Sequence, residues 1–397
     1  MKITVPTIDF GTSKIVTMVA QSNGERCDIV GSGAVAYSGY LQEGWNNPEE
    51  IKDAIRTAVD QAQKTGNCRI NKLNVGVPGM FTRVVVEEVK VSLTGPDPHV
   101  TAEDVRACFK LAENSNENEK KQIIHSAPAW FRVDDGKKTL SPVGIKGREL
   151  TAMIAKVIAD QYFLDDVSYR LNEMDIEVGE FYSTVAGEAT YALSQEERDK
   201  IAMLIDIGYL CTDVMVMEGD ALIFHKCLDI GGGDIAVDLA EKLNIPFSFA
   251  EEKIKQVYNF NSQNRDETYI LPATEDTPAR TITRDEVSPI IEAKVEEIAE
   301  KINKALEDGG VKLGKWSNVY LTGGGLILNK GGKDFLAGKL HRIIREAQRT
   351  NNKMASHIFS SAVGLTILVV TTQEEQRNPD NGIKGIFSRA LRWLMGY

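Results

Sequence analysis

The sequence predicts an α/β chain of two related lobes around a common cleft, carrying a small α+β insertion and ending in an amphipathic helix. Three observations lead there. Residues 3–20 and 202–217 repeat one order: an apolar strand ending in Asp, one apolar residue, Gly, and then a second strand. Residues 81–161 between them keep a rhythm of their own. Residues 383–397 turn abruptly apolar and basic after a polar stretch. A repeat this long implies paired lobes and not a solenoid.

Composition narrows the class. At 397 residues the chain is too long for one core. A hydrophobic share of 42% and a charged share of 26% are those of an ordinary globular protein. A formal charge of -11 opposes general nucleic-acid binding, because such a surface repels phosphate. Cys27, Cys68, Cys108, Cys211 and Cys227 form no Cys-x-x-Cys pair and read as buried free thiols of a reducing compartment. The N-terminus carries no basic-then-apolar signal pattern. The most apolar run, 358–370, is interrupted by Ser360, Ser361 and Thr366 and falls short of the roughly 20 residues a bilayer span needs. It predicts a buried core helix, and the body of the protein is expected in the cytoplasm.

In chain order, the first hairpin turns through Asp9, Gly11, Thr12, Ser13 and Lys14. The insertion opens with an alternating strand over 84–91 and a turn at Thr94-Gly95-Pro96-Asp97-Pro98. Thr101 precedes a helix over 102–113, and Asp104 stands where a capping box needs its carboxylate. A polar stretch leads into a strand over 123–133. The second hairpin turns through Asp206, Gly208, Thr212 and Asp213. Asp229-Ile230-Gly231-Gly232-Gly233-Asp234 imitates a phosphate loop, but Ile235, Leu239 and Leu243 follow at helical spacing, so these glycines open a helix. A second insertion is expected over 240–283, with 263–267 as an exposed loop. Val287, Ile291, Val295, Ile298, Ile302 and Leu306 then mark a core helix. A last strand runs into Gly323, Gly324 and Gly325.

A tight turn just after an Asp suits the phosphates of a nucleotide. Backbone N–H groups of Gly11, Thr12 and Ser13 can point at phosphate oxygens, and Lys14 can add a charge-assisted contact. Asp9 is placed to hold Mg2+ through water, since that ion keeps most of its hydration shell. A plain hairpin is the other reading of one such motif; a second Asp hairpin and a triple-glycine turn weigh against it. Together the three turns resemble the first phosphate loop, second phosphate loop and adenosine loop of the actin, Hsp70 and sugar-kinase superfamily. The resemblance implies a duplicated ribonuclease-H-like actin fold that binds ATP, with Mg2+ held through water by Asp9 and Asp206. It assigns Asp9, Gly11, Thr12, Ser13 and Lys14 to the first loop, and Asp206, Gly208, Thr212 and Asp213 to the second. Gly323, Gly324 and Gly325 match the turn against the α-phosphate and adenosine. Glu252 and Lys255 match a Glu-x-x-Lys pair that faces ribose and adenine; a surface ion pair is the alternative reading. Where the superfamily has glycines in its second loop, this chain has Tyr209 and Leu210. A Cβ disfavours positive φ and crowds a close phosphate, so the expectation is ATP binding with slow or absent turnover.

The insertion narrows the resemblance to the FtsA family of bacterial actin-like proteins. His125-Ser126-Ala127-Pro128-Ala129-Trp130-Phe131, followed by Pro142-Val143-Gly144, resembles that family's small SHS2-like inserted domain, and Val75-Gly76-Val77-Pro78-Gly79 fits it too. His125 has no partner for a catalytic dyad and reads as structural; no catalytic residue is assigned. The expected division puts lobe 1 over 1–80, 163–200 and 346–370, with the inserted domain over 81–162. Lobe 2 covers 201–240 and 284–345, with its own insertion over 241–283. A linker follows over 371–382, then a membrane-targeting helix over 383–397.

On a helical wheel Ile383, Ile386, Phe387, Ala390, Leu391, Trp393 and Leu394 share one face, with Lys384, Ser388, Arg389 and Arg392 on the other. No acidic residue interrupts them. This is the composition of an interfacial helix at an anionic lipid surface; docking back on its own body is the alternative. The family resemblance implies filaments of this chain on the cytoplasmic membrane at the division site. It also implies capture of the C-terminal peptide of the tubulin-like protein FtsZ by the second lobe, with Arg284 and Lys294 as candidate contacts for acidic groups. Two other readings stay open. One is an actin-like platform of a pilus or secretion system; the other is a small-molecule kinase of the same superfamily, which would need a catalytic Asp and an acceptor pocket.

Overall fold

The computed structural model describes residues 2–24, 26–41, 44–114, 122–273, 278–314, 317–347 and 356–377. The chain divides into two compact units, one drawn from 1–204, 215–226 and 348–397, the other from 205–214 and 227–347.

In the first unit β1 (Ile3–Phe10) and β2 (Lys14–Ser22) form the first Asp hairpin, and β3 (Cys27–Ala36) extends it antiparallel. A short pair, β4 (Tyr40–Leu41) and β5 (Gly44–Trp45), leads to helix α1 (Pro48–Gly66) and strand β6 (Lys72–Val77). Alternation along β1 sorts its side chains. Ile8 and Phe10 enter the core with Ile51, Ile55 and Val59 of α1. Ile3 and Val5 pack instead with Leu365, Leu368 and Val369 of the helix Ser360–Arg377. Asp9 stands in register with that second set, which decides what its carboxylate meets. α1 lies close on β3 because Gly33 has no side chain; a Cβ there would stand 2.1 Å from the Ala58 carbonyl oxygen.

The insertion is a three-stranded antiparallel sheet with one helix. β7 (Thr82–Ser92), α2 (Ala102–Asn114), β8 (Ile123–Val133) and β9 (Glu149–Ala159) give the strand order β7-β9-β8. The capping box is present: Thr101 N and Oγ1 donate to Asp104, and Asp104 N donates to Thr101 Oγ1. The unit continues through α3 (Gln161–Asn172), β10 (Glu177–Ser183), α4 (Thr184–Ala192) and α5 (Gln195–Arg198), and its main sheet has the order β10-β6-β1-β2-β3.

A second five-stranded sheet begins with β11 (Ala202–Ile207), β12 (Thr212–Glu218) and β13 (Ala221–Leu228). Then come α6 (Gly232–Leu243), α7 (Phe247–Phe249), the hairpin β14 (Thr268–Leu271) and β15 (Arg280–Thr283), α8 (Arg284–Asp308), β16 (Asn318–Thr322), α9 (Gly332–Leu340) and β17 (Ile344–Glu346). The sheet order is β13-β12-β11-β16-β17. Read from the other edge, this is the order of the first sheet, so the duplication seen in the two Asp hairpins extends to the whole of both sheets. Gly232 opens α6 as expected, and all six apolar positions named for α8 are buried.

The helix α10 (Ser360–Arg377) carries the apolar run in the core of the first unit. It also runs through 371–377, where a polar linker was expected. Thr371 and Thr372 there donate to the carbonyls of Ile367 and Leu368 at 2.9 Å, as hydroxyls within a helix do. Ser22 further donates to Glu374, tying the polar turn to β2. The rest of the expected linker and the amphipathic segment 383–397 lie outside the described residues. Among the described helices none is long and apolar enough to cross a membrane.

Candidate functional site

In the first unit, Gly11 N donates to Lys14 O at 3.0 Å and closes the turn. Two tyrosines brace it from outside: Tyr37 OH donates to Gly11 O at 2.7 Å and Tyr40 OH to Phe10 O at 3.1 Å. Asp9 is 3% exposed. Its Oδ2 accepts from Ser361 of α10 at 2.7 Å, while Oδ1 is buried with no hydrogen-bond partner. Burial raises this carboxyl above its ordinary range, against the Ser361 hydrogen bond, the charge of Lys14 and the neighbouring Thr184 hydroxyl. An anionic oxygen held in this way suits a hydrated cation. Lys14 Nζ lies 5.5 Å from the centre of the Phe359 ring. Tyr37, Tyr40 and Ser361 were not singled out in the sequence, and only their position across the sheet identifies them.

The second unit builds the matching turn: Gly208 N donates to Cys211 O at 2.9 Å. Glycines close around it. Gly232 N and Gly233 N donate to Gly208 O and Tyr209 O at 2.9 and 2.7 Å, and Gly325 N donates to Ile207 O at 2.7 Å. The packing leaves no room for side chains. A Cβ on Gly323, whose φ is +90°, would stand 2.0 Å from Asp206 Oδ1, and one on Gly325 would stand 2.3 Å from Gly208 O. Thr212 Oγ1 donates to Ile230 O at 2.8 Å, so this hydroxyl braces the hairpin from inside. Tyr209 and Leu210 complete the turn without positive φ, so the strain anticipated there does not arise. The Tyr209 ring lies over Gly233, with Lys255 Nζ 5.9 Å from its centre.

The Glu-x-x-Lys pair is arranged differently from expectation. Residues Ala250–Ile254 form a π turn, whose i→i+5 repeat advances less per residue and carries i,i+3 neighbours off a common face. Lys255 is buried and pairs with Glu251 at 3.1 Å, while Glu252 is exposed. Arg284 and Lys294 are also engaged within the unit. Arg284 bonds Glu267 at 2.8 Å and the Asn259 carbonyl at 2.9 Å, and Lys294 bonds Asp238 at 3.3 Å and Glu297 at 2.7 Å. Neither presents a free cation to a peptide.

Two sheets of identical order, each with an acidic hairpin, and an inserted three-stranded domain define an actin-like protein. The family model described as "Cell division protein FtsA" matches residues 203–365, and that described as "SHS2 domain inserted in FTSA" matches 79–158. A cell division protein FtsA of Pseudomonas aeruginosa is 22% identical over 98% of this chain and 97% of its own length. In fold, the chain is similar to a protein of a PilM-PilN type IV pilus biogenesis complex (TM-score 0.61, 17% identity, 92% of this chain and 98% of that one). It is likewise similar to MreB5 of Spiroplasma citri bound to ADP (TM-score 0.55, 12% identity, 94% and 98%). The chain belongs to the FtsA family of bacterial cell-division proteins.

Proposed function

We propose that this chain binds ATP with Mg2+ through its two acidic hairpins and its triple-glycine turn, and that the nucleotide controls its assembly into filaments on the cytoplasmic face of the membrane, where it tethers FtsZ at the division site. The observation that carries the nucleotide reading is the repeated turn, in which Gly11 and Gly208 make the same hydrogen bond beside an aspartate. Asp9, with Asp206, would hold the hydrated Mg2+, and the unpartnered Oδ1 of Asp9 fits that role. The N–H groups of Thr12 and Ser13 with Lys14 would meet phosphate in the first hairpin, and Gly208, Thr212 and Asp213 would line the second. Gly323 to Gly325 would admit the nucleotide's close approach, and Lys255, paired with Glu251, would lie toward ribose and adenine with Glu252 at the rim. Bound Mg2+ supplies charge neutralisation for the phosphates.

Tyr209 fills space that glycine leaves open in the superfamily, so turnover below about 1 per second, the low end for enzymes, is expected. Thermal unfolding tests the binding step: at 100 times Kd, ATP with Mg2+ should stabilise the protein by about 2.7 kcal/mol. An unchanged Tm at millimolar ATP and Mg2+ would remove the nucleotide reading. FtsZ capture is tested with its C-terminal peptide against the second unit, and absence of any binding would remove that part alone.

A further inference from the structure

Cys211 closes the second hairpin turn, Asp213 follows on β12, and Cys227 lies on β13, the neighbouring strand of the sheet. Cys211 and Asp213 are two residues apart in extended chain, so their side chains share one face. The two sulfurs and a carboxylate oxygen of Asp213 all lie within 4.8 Å of one another. Among the described residues no other group of His, Cys, Asp and Glu converges in this way.

We propose that Cys211, Asp213 and Cys227 form a binding site for one thiophilic divalent cation of the zinc type, with an outer ligand supplied by water. Two thiolates on a tetrahedral zinc, each about 2.3 Å from the metal, stand about 3.8 Å apart. The observed convergence needs a contraction of at most about 1 Å to reach that geometry, within the reach of side-chain rotation. The donor set selects the ion. Soft sulfur favours Zn2+, Cd2+ or Co2+ over Mg2+, which takes oxygen and keeps its water.

The surroundings favour a cation as well. The Cys227 thiol is pushed well above its ordinary range by its hydrogen bond with Cys211, by burial and by Asp213. For Cys211, the hydrogen bond with Cys227 lowers the value, but burial and the charges of Asp213, Asp206 and Asp229 raise it overall. Carboxylates thus supply the local field, and the thiols stay protonated until a metal displaces the protons. Binding releases two thiol protons, so affinity must fall as pH falls. A bound ion would clamp β13 to the turn whose backbone closes at Gly208 and Cys211. The site stands on its own residues and does not depend on the nucleotide reading, although Asp213 belongs to both.

The test is titration of the full chain with Co2+ in a phosphine reductant. One equivalent should produce sulfur-to-cobalt charge-transfer absorption, displaced by Zn2+. The band should vanish in Cys211→Ser and in Cys227→Ser, persist in Cys68→Ser, and weaken on acidification. On the unaltered protein, Zn2+ should slow alkylation of Cys227, read by mass spectrometry, by roughly tenfold or more, because a metal-bound thiolate is withdrawn from reaction. No charge-transfer band in the unaltered protein, a band that survives Cys227→Ser, or alkylation of Cys227 at the same rate with and without Zn2+ overturns the proposal.

Discussion

Asp9 shows how one residue carries a conflict between folding and binding. Its carboxylate is buried, half satisfied by Ser361 and unpartnered at Oδ1. A carboxyl whose value is raised in the fold contributes stability that is present below its ordinary 3.8 and is lost as pH rises through the folded value. At neutral pH the charged form therefore weighs against the fold. Asp9→Asn should raise the Tm of the nucleotide-free protein at pH 7, because it removes the buried charge while keeping the size of the side chain. The gain should shrink as pH falls toward 3.8, and the Mg2+-dependent part of ATP stabilisation should disappear. Thermal melts of both proteins across pH decide it; a lower Tm for the variant at pH 7 would contradict the role given to burial. Asp9 itself was legible in the sequence, because Asp followed by Gly between two apolar strands is a local pattern. Ser361 was not, since its pairing with Asp9 joins the two ends of the chain. Glu251 was missed for another reason: the family match pointed to Glu252, whereas Glu251, one turn before Lys255 at i,i+4, is the acid that pairs with it. The cysteines read as uniformly buried prove mixed, with Cys27, Cys68 and Cys227 only partly covered. The meeting of Cys211 with Cys227 depends on strand register and left no spacing to find.

At the scale of elements, α4 and α10 cross where both have glycine. A Cβ on Gly364 would stand 2.5 Å from Glu188 Cα and 2.7 Å from both Glu188 N and Gly187 O. Gly364→Ala sets two effects against each other. Helix propensity favours Ala by about 1 kcal/mol, while overpacking a tight contact costs about 1–3 kcal/mol or more. The facing atoms are backbone and cannot rotate away, so the clash should win and the Tm should fall by several degrees. Gly187→Ala should do the same. The double variant should lose less than the two losses added, because the first substitution already separates the helices. Equilibrium denaturation of the three variants measures this, and a stabilised Gly364→Ala would show that the crossing tolerates a methyl group. Elements with local signatures were legible, such as the α2 capping box at Thr101 and Asp104. The last turns of α10 were not, because Thr371 to Arg377 has the composition of a linker, and its tie from Ser22 to Glu374 joins residues at opposite ends of the chain.

For the whole molecule, the duplicated hairpins pointed to two related α/β lobes, and the two sheets prove to share one strand order, which the sequence alone did not specify. The proposed membrane attachment rests on 383–397, which lie outside the described residues, and its physics is read from the sequence alone. Lys384, Arg389 and Arg392 should each contribute about 1 kcal/mol at an anionic surface, and Ile383, Ile386, Phe387, Leu391, Trp393 and Leu394 add apolar burial. One short amphipathic segment would give only reversible binding; many of them on the proposed filament would bind together at high effective concentration. Removing 383–397 should therefore abolish sedimentation with vesicles rich in anionic lipid, in monomer and filament alike. Replacing Arg389 and Arg392 by Ala should cost about 2 kcal/mol per chain, or roughly thirtyfold in affinity, and should flatten the dependence on salt. The same pair of substitutions should matter more in filaments than in monomers, because the per-chain loss multiplies along the polymer. Sedimentation unchanged by the deletion would place the attachment elsewhere in the chain, and a thirtyfold loss that persists unaltered at high salt would make these arginines structural rather than electrostatic.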